Sequence, residues 1–187
     1  MVTMTLADPL VARSPDALLA RVEAPAAAIW RALGTIVDPE IVVVSIVELG
    51  IVRDVAHDAG GWVIALTPTY TGCPAIRMIE ADVRAAVAGV TAEPVRIVTA
   101  LSPAWSTDWV APEARRKLSN AGIAPPAGGA QRATVAARTI AFHRAPVRCP
   151  RCGSLHTQEL ARFGSTACKA QYRCVDCLEP FDYFKPH

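Results

Sequence analysis

The residues best suited to chemistry are the cysteines. Cys149-Pro150-Arg151-Cys152-Gly153 and Cys174-Val175-Asp176-Cys177 form two C-x-x-C pairs separated by twenty-odd residues. That spacing matches a four-cysteine zinc site. A two-residue gap lets one tight turn aim two thiolates and nearby backbone N–H groups at a single point. Gly153 relieves the strain such a knuckle creates. The ligand chemistry favours structural Zn2+. An iron–sulfur cluster or a mononuclear iron uses the same four ligands, and a redox dithiol is a further alternative. The redox reading is the weakest, because neither pair opens a helix after a strand.

Cys73 is the second loaded position. It lies in Thr67-Pro68-Thr69-Tyr70-Thr71-Gly72-Cys73-Pro74, which reads as a polar loop between a strand and a helix. Pro74 suits a first helical turn, so Cys73 falls at or just before the N-cap. There, free N–H groups and the helix dipole are expected to stabilise a thiolate. Such a thiolate would contact a metal or cluster, or make a transient bond. The plainer reading is a cysteine that merely caps a helix. The acidic loop Asp38-Pro39-Glu40 is expected near this site, or else as a turn leading into a cap. Cys168 stands six residues before Cys174, roughly 20 Å away on a straight strand. It is therefore not expected to share the metal. It reads as a small buried hydrophobe, or as a thiol offered to a partner or cluster at the far end of the ribbon. His57 and His143 lack a partner at ligand spacing.

These positions require elements to hold them. Apolar residues Leu18, Leu19, Val22, Ala26, Ile29, Trp30 and Leu33 recur at helical spacing, with Pro25 predicting a kink or a break into two helices. Ile51 to His57 and Trp62 to Thr69 read as a hairpin about Asp58-Ala59-Gly60-Gly61. Pro74 to Val87 reads as a helix capped by Gly89, Val95 to Leu101 as a strand, and Pro112 to Ser119 as a short helix. The result is an α+β domain over residues 16–119, with a small three-stranded sheet and helices packed on it. A tail occupies 1–15. Gly122, Pro125, Pro126, Gly128 and Gly129 give 120–146 a linker composition, within which Thr134 to Phe142 is left open as a strand. Residues 147–187 form an all-β zinc ribbon, with strands at Thr157 to Phe163, Cys168 to Arg173 and Phe181 to Phe184. So small a module has too little core to fold alone, and metal binding supplies much of its folding free energy.

The bulk composition narrows the function. In 187 residues the formal net charge is +2, which leaves no strong electrostatic footprint for nucleic acid. Within the ribbon, Arg148, Arg151, Arg162, Lys169 and Arg173 are interspersed with Glu159, Asp176, Glu179 and Asp182. Trp105, Trp109 and Arg115-Arg116-Lys117 read as a binding face, or more simply as a solvated helix edge with aromatic packing. The apolar runs are too short to cross a bilayer, and no leader pattern opens the chain. These absences point to a cytoplasmic protein with no membrane partner. In a reducing cytosol, C-x-x-C pairs bind metal rather than form disulfides.

Asp38-Pro39-Glu40, Glu48-Leu49-Gly50-Ile51-Val52 and Thr67-Pro68-Thr69-Tyr70-Thr71-Gly72-Cys73-Pro74 resemble the metal–sulfur cluster biosynthesis family shared with cytosolic iron–sulfur assembly factors. Gly164-Ser165-Thr166-Ala167-Cys168-Lys169-Ala170-Gln171-Tyr172-Arg173-Cys174, with Gly122-Ile123-Ala124-Pro125-Pro126 before it, resembles the ribbon of one branch, the PaaD proteins of phenylacetate degradation. The resemblance runs from about residue 17 to 187. Val42 departs from it, since family members often carry a proline there. It implies an iron–sulfur cluster assembly-like fold and a role in aerobic phenylacetate catabolism beside a multicomponent monooxygenase that epoxidises phenylacetyl-CoA. Its implied partners are the epoxidase components and iron–sulfur assembly factors. The implied task is assembly or maturation of the metallocentre, with Cys73, Asp38 and Glu40 contacting a transient iron–sulfur cluster or iron. A non-catalytic adaptor role within the oxygenase complex is the alternative. No Glu-x-x-His pairs for a di-iron bundle and no nucleotide fingerprint occur, in keeping with a chain that does not itself perform the oxygenation.

Overall fold

The computed structural model describes residues 24–126 and 146–186. Residues 16–23 of the expected first helix, the strand considered at 134–142, and His143 lie outside the described residues.

Helix α1 spans Ala24–Gly34. Pro25 is the second described residue of this helix. Ile29, Trp30 and Leu33 are buried. The β-branched, apolar run Ile41 to Leu49 that follows forms turns rather than a strand. Among the described residues its ladder contact is a bridge between Val37 and Ser45. Two local side-chain caps divert it into turns. Asp38 Oδ1 accepts the N–H groups of Glu40 at 2.9 Å and Ile41 at 2.8 Å. Ser45 and Glu48 form a reciprocal box, with the Ser45 N–H donating to Glu48 Oε2 and the Glu48 N–H to Ser45 Oγ. Gly50 ends the segment at φ +71°. A Cβ there would stand 2.6 Å from Trp109 Cβ, so no other residue fits.

Strands β1 (Val52–Asp58) and β2 (Gly61–Leu66) form the expected hairpin, and β3 (Val95–Thr99) adds parallel to β2. The mixed sheet has the order β1-β2-β3. Every residue of the central strand β2 is buried, which explains why its sequence is apolar on both faces. Helix α2 (Ile76–Ala88) makes the crossover between β2 and β3. It buries Ile79, Val83 and Val87 and reaches its C-cap at Gly89.

A short 3-10 turn at Thr107–Trp109 leads into α3 (Pro112–Asn120), which has proline at its start. Trp105 and Trp109 are buried, the first donating its indole N–H to Leu49 O at 3.0 Å. The Arg53 guanidinium sits 3.3 Å over the Trp109 ring. Arg115 donates to Thr107 O and Pro126 O. The Trp105/Trp109/Arg115 cluster is thus packing rather than an open binding face.

After α3 the chain enters β4 (Ile123–Ala124), which pairs parallel with the last strand. The stretch whose composition reads as linker therefore opens with a rung of the ribbon sheet. The ribbon strands are β5 (Thr157–Ala161), β6 (Lys169–Cys174) and β7 (Pro180–Phe184), in the order β4-β7-β6-β5. Tyr172 stacks on Phe181 and meets Tyr183 edge-on within a small core of their own. The opposite end of the ribbon joins the first domain instead. Cys168 and Phe184 belong to the core of α1, the sheet and α2, and Phe184 packs edge-on against Trp105 at 5.9 Å.

Candidate metal centre and interdomain cleft

Two local turns build the ribbon centre. In the first, the Gly153 N–H donates to Cys149 O and the Cys149 N–H to Ser154 O, each at 2.9 Å, with Gly153 at φ +78°. In the second, the Cys177 N–H donates to Cys174 Sγ at 3.4 Å. Leu178 takes the place of the knuckle glycine at φ 64°, a conformation that costs a non-glycine residue about 1–2 kcal/mol. The four sulfurs lie within 4.8 Å of one another, with Cys149–Cys177 at 3.7 Å and Cys152–Cys174 at 3.5 Å. A tetrahedral ion with metal–sulfur bonds of about 2.3 Å has edges of about 3.8 Å, so the donor set fits a divalent ion directly.

The electrostatics agree with the geometry. The Cys177 and Asp176 N–H groups draw the Cys174 thiol down to about 7. The Ser154 N–H also pulls on Cys152, but the sulfurs of Cys174, Cys177 and Cys149 push it up to about 12. Four thiols this close do not all ionise without a cation at their centre. Ser154 and His156 both engage Asp176, which ties the two knuckles together from outside. Among the described residues this is the one group of three or more donors so tightly gathered.

The second centre is a cleft where the ribbon meets the first domain. Asp38, Glu40 and Cys73, placed near one another by the sequence, all line it, along with Pro68, Thr69 and Ile76. Its volume of about 10 Å³ suits a single water-sized particle. Asp38 is 6 % exposed, and Cys73 and Glu40 are half-buried.

The structure corrects one expectation. Helix α2 begins at Ile76, and the N–H groups of Ala75 and Ile76 do face the Cys73 sulfur. Burial nevertheless lifts the thiol above its ordinary value, and the Glu40 and Asp38 carboxylates add to the rise. The amides at the start of α2 are therefore outweighed by burial and the two carboxylates in setting the direction for Cys73. Burial likewise raises Asp38, against the pull of the Glu40 and Ile41 N–H groups and the Lys169 charge.

Residues that the sequence had not placed here complete the cleft. Cys168 lines it from the ribbon side. Its thiol meets Thr166 Oγ1 at 3.0 Å and donates to Glu40 Oε2 at 3.7 Å. Burial raises it to about 11. Lys169, which the sequence offered as one of the ribbon's basic residues, is 6 % exposed and pairs with Asp182 at 3.3 Å, which removes it from any nucleic-acid surface. Tyr70 is also raised, first by burial and then by Cys73, Glu40 and Cys168. The signal for Cys168 was its distance from the metal knuckles, since the far end of β6 is the end that docks. His57 takes no part, being paired with Glu93 at 2.6 Å and set edge-on against Trp62. No helix among the described residues is long and apolar enough to cross a membrane.

Comparison with known proteins follows the same two-part division. Residues 26–99 match the iron–sulfur cluster assembly protein family, and residues 133–185 match the PaaD zinc beta ribbon domain. A protein of Escherichia coli (strain K12), named as one of the subunits of a "Putative 1,2-phenylacetyl-CoA epoxidase", is 51% identical over 158 residues, covering 84% of this chain and 90% of that protein. Among solved structures, a DUF59 domain from Bacillus anthracis shares 32% identity, covers 48% of this chain and 87% of its own, and has a TM-score of 0.43. A conserved hypothetical protein from Thermotoga maritima shares 27% identity over 49% of this chain and 90% of its own, with a TM-score of 0.42. With an assembly-type domain followed by a four-cysteine ribbon, and with half its residues shared along nearly the full length of the Escherichia coli protein, this chain belongs to the PaaD family.

Proposed function

We propose that the protein serves the multicomponent epoxidase that oxygenates the ring of phenylacetyl-CoA, as an accessory factor for assembly or maturation of its metallocentre, iron–sulfur or di-iron. The metal is cargo, passed through the interdomain cleft one ion at a time. The observation that carries this reading is the convergence of Cys73, Asp38 and Glu40 on one cavity the size of a single ion. A sulfur and two carboxylates are donors for iron, whereas a purely structural cap needs only one of them. The half-buried Cys73 leaves a route for exchange with a client or with iron–sulfur assembly factors. The ribbon holds Zn2+ through Cys149, Cys152, Cys174 and Cys177, which fixes the two knuckles. That leaves β5 to β7 as a rigid platform against the first domain. Oxygen chemistry belongs to the other components.

The test is Cys73→Ser, co-produced with the epoxidase components. The variant keeps its fold and its zinc, while the iron or cluster content of the purified epoxidase falls. Full metal occupancy and full activity with this variant would overturn the proposal.

The Escherichia coli relative is named as part of the epoxidase itself, which favours a second reading. As an adaptor the protein would co-purify with the epoxidase at fixed stoichiometry, and Cys73→Ser would change nothing.

A further inference from the structure

The small net charge conceals a segregation. Between Glu113 and Glu159 the chain carries eight Lys and Arg residues and no Asp or Glu, so the rest of it is net acidic. Described residues of this basic stretch border a cavity of about 490 Å³. One wall is Ser119, Pro125 and Pro126, where α3 runs into β4. The other is the first knuckle, with Pro146, Pro150 and the exposed Leu155. Tyr183, paired in register with Ala124, completes the lining, which holds no carboxylate. Proline has a fixed φ and no N–H to satisfy, so this surface is apolar and already rigid. Two arginines flank it. Arg148 lines the cavity and is exposed, with one guanidinium nitrogen donating to Gly153 O at 2.6 Å. Arg151, also exposed, lays its guanidinium beside Gly122, where a Cβ would stand 3.3 Å from Nη2. The Gly122 N–H in turn donates to Ser119 O on the first wall. Neither arginine pairs with a carboxylate among the described residues. The cations of α3 are committed elsewhere, Arg115 to two carbonyls, Arg116 to Glu113 and Lys117 to Glu48. An uncompensated positive rim around a preformed apolar cavity attracts a segment that is acidic and partly apolar.

We propose that this cavity is the surface by which the protein docks on the epoxidase, receiving from one of its components an acidic segment with apolar side chains. The inference rests on the reading of the protein as serving that enzyme and adds where the two meet. Carboxylates of the segment pair with Arg148 and Arg151 at the rim, where a guanidinium offers two parallel donors to one carboxylate. Apolar side chains of the segment pack against the prolines, Leu155 and Tyr183. Leu155 is 45 % exposed in the chain alone and gains its burial in the complex. The same geometry disfavours a nucleic acid. Tyr183 is buried and offers no open face for a base to stack on, and two arginines are too few to follow a phosphate backbone. Cys149 lines the same cavity, so the knuckle that holds the metal also shapes the wall that meets the partner.

The test uses the full chain with its ribbon zinc in place and the purified epoxidase components as the probe, with association and dissociation followed by surface plasmon resonance across a salt series. The wild type binds, and its association slows as salt rises. Arg148→Glu combined with Arg151→Glu slows association by about tenfold or more. Arg148→Lys combined with Arg151→Lys keeps most of the rate, and Leu155→Asp shortens the lifetime of the complex. Because both arginines adjoin zinc ligands, every variant is checked for wild-type zinc content and circular dichroism, and Leu155→Asp, outside the C-x-x-C pair, serves as the second variant. Wild-type association by the double glutamate variant overturns the inference, as does a wild-type lifetime with Leu155→Asp or the absence of wild-type binding. So does tighter binding of a DNA duplex than of the epoxidase at physiological salt, or self-association that the glutamate variant abolishes while epoxidase binding persists. Should the glutamate variant bind normally while Cys73→Ser starves the epoxidase of metal, this inference fails and the maturation role stands. Binding lost in the glutamate variant, with Cys73→Ser still loading the epoxidase in full, upholds the surface and removes the maturation role.

Discussion

Phe184→Ala loosens the joint between the two halves of the molecule without touching the four ribbon cysteines. Phe184 sits on the last ribbon strand, is 1 % exposed, and contributes to the core of the first domain rather than to that of the ribbon. Truncating a fully buried phenylalanine costs about 3–5 kcal/mol. Of that, about 1 kcal/mol is the edge-on pair with Trp105 at 5.9 Å. Domains of this class hold only about 5–15 kcal/mol in total, so the loss is a large share. With a urea dependence of about 2 kcal/mol per molar, the midpoint should fall by about 2 M. Urea unfolding followed by tryptophan fluorescence measures it, since Trp105 reports on the contact itself. The variant should also expose Cys168 to alkylation at a faster rate, because the two residues leave the cleft together. Zinc content should stay at the wild-type level, as the four ligands lie at the other end of the sheet. A drop of less than about 1 kcal/mol, or a Cys168 as protected as before, would show that the ribbon does not dock as described.

Asp38 combines a structural and an electrostatic task, and two variants should part them. Asp38→Ala leaves the Glu40 and Ile41 N–H groups unpaired and should cost about 1–2 kcal/mol in denaturant titration. Asp38→Asn keeps an acceptor, removes a buried charge that burial disfavours, and should fold at least as stably in the same titration; equal stability losses in the two variants would contradict this. Glu48 offers a pH test. Burial raises its carboxyl, but the Lys117 ammonium at 2.6 Å and the Ser45 groups outweigh that and hold it below the ordinary value. A lowered carboxyl stabilises the fold in full above the unfolded value of about 4.3 and loses that contribution as pH falls through the folded value. Glu48→Gln should therefore cost about 1–2 kcal/mol at neutral pH and progressively less in acid, measured by thermal or urea unfolding against pH; a difference that persists unchanged in acid would refute the assignment.

Much of this protein was legible one segment at a time, because the responsible interactions are local. A C-x-x-C pair closes its own turn, a proline at a first helical turn needs no distant partner, and alternation with a glycine-rich turn defines β1 and β2. The helix over 76–88, the hairpin, the three ribbon strands and the two C-x-x-C turns all follow from neighbours within a few residues. The family motifs also placed Asp38, Glu40 and Cys73 in one region.

What local pattern left open was decided by contacts between segments far apart in the chain. The β-branched run Ile41 to Leu49 forms turns rather than a strand, and Ile41, Val44, Ile46 and Leu49 are buried only in the core that the first helix, the sheet and α2 build together. The Cys73 thiol is pushed up first by burial and then by carboxylates more than thirty residues behind, against amides two and three residues ahead. Lys169 looked like one of a scatter of surface charges until docking buried it beside Asp182. Cys168 and Glu40 are separated by 128 positions and meet at 3.7 Å only because Phe184 seats the ribbon in the first core. Sequence periodicity carries information over a few residues, whereas the burial and charge around a thiol depend on whatever the completed fold brings against it.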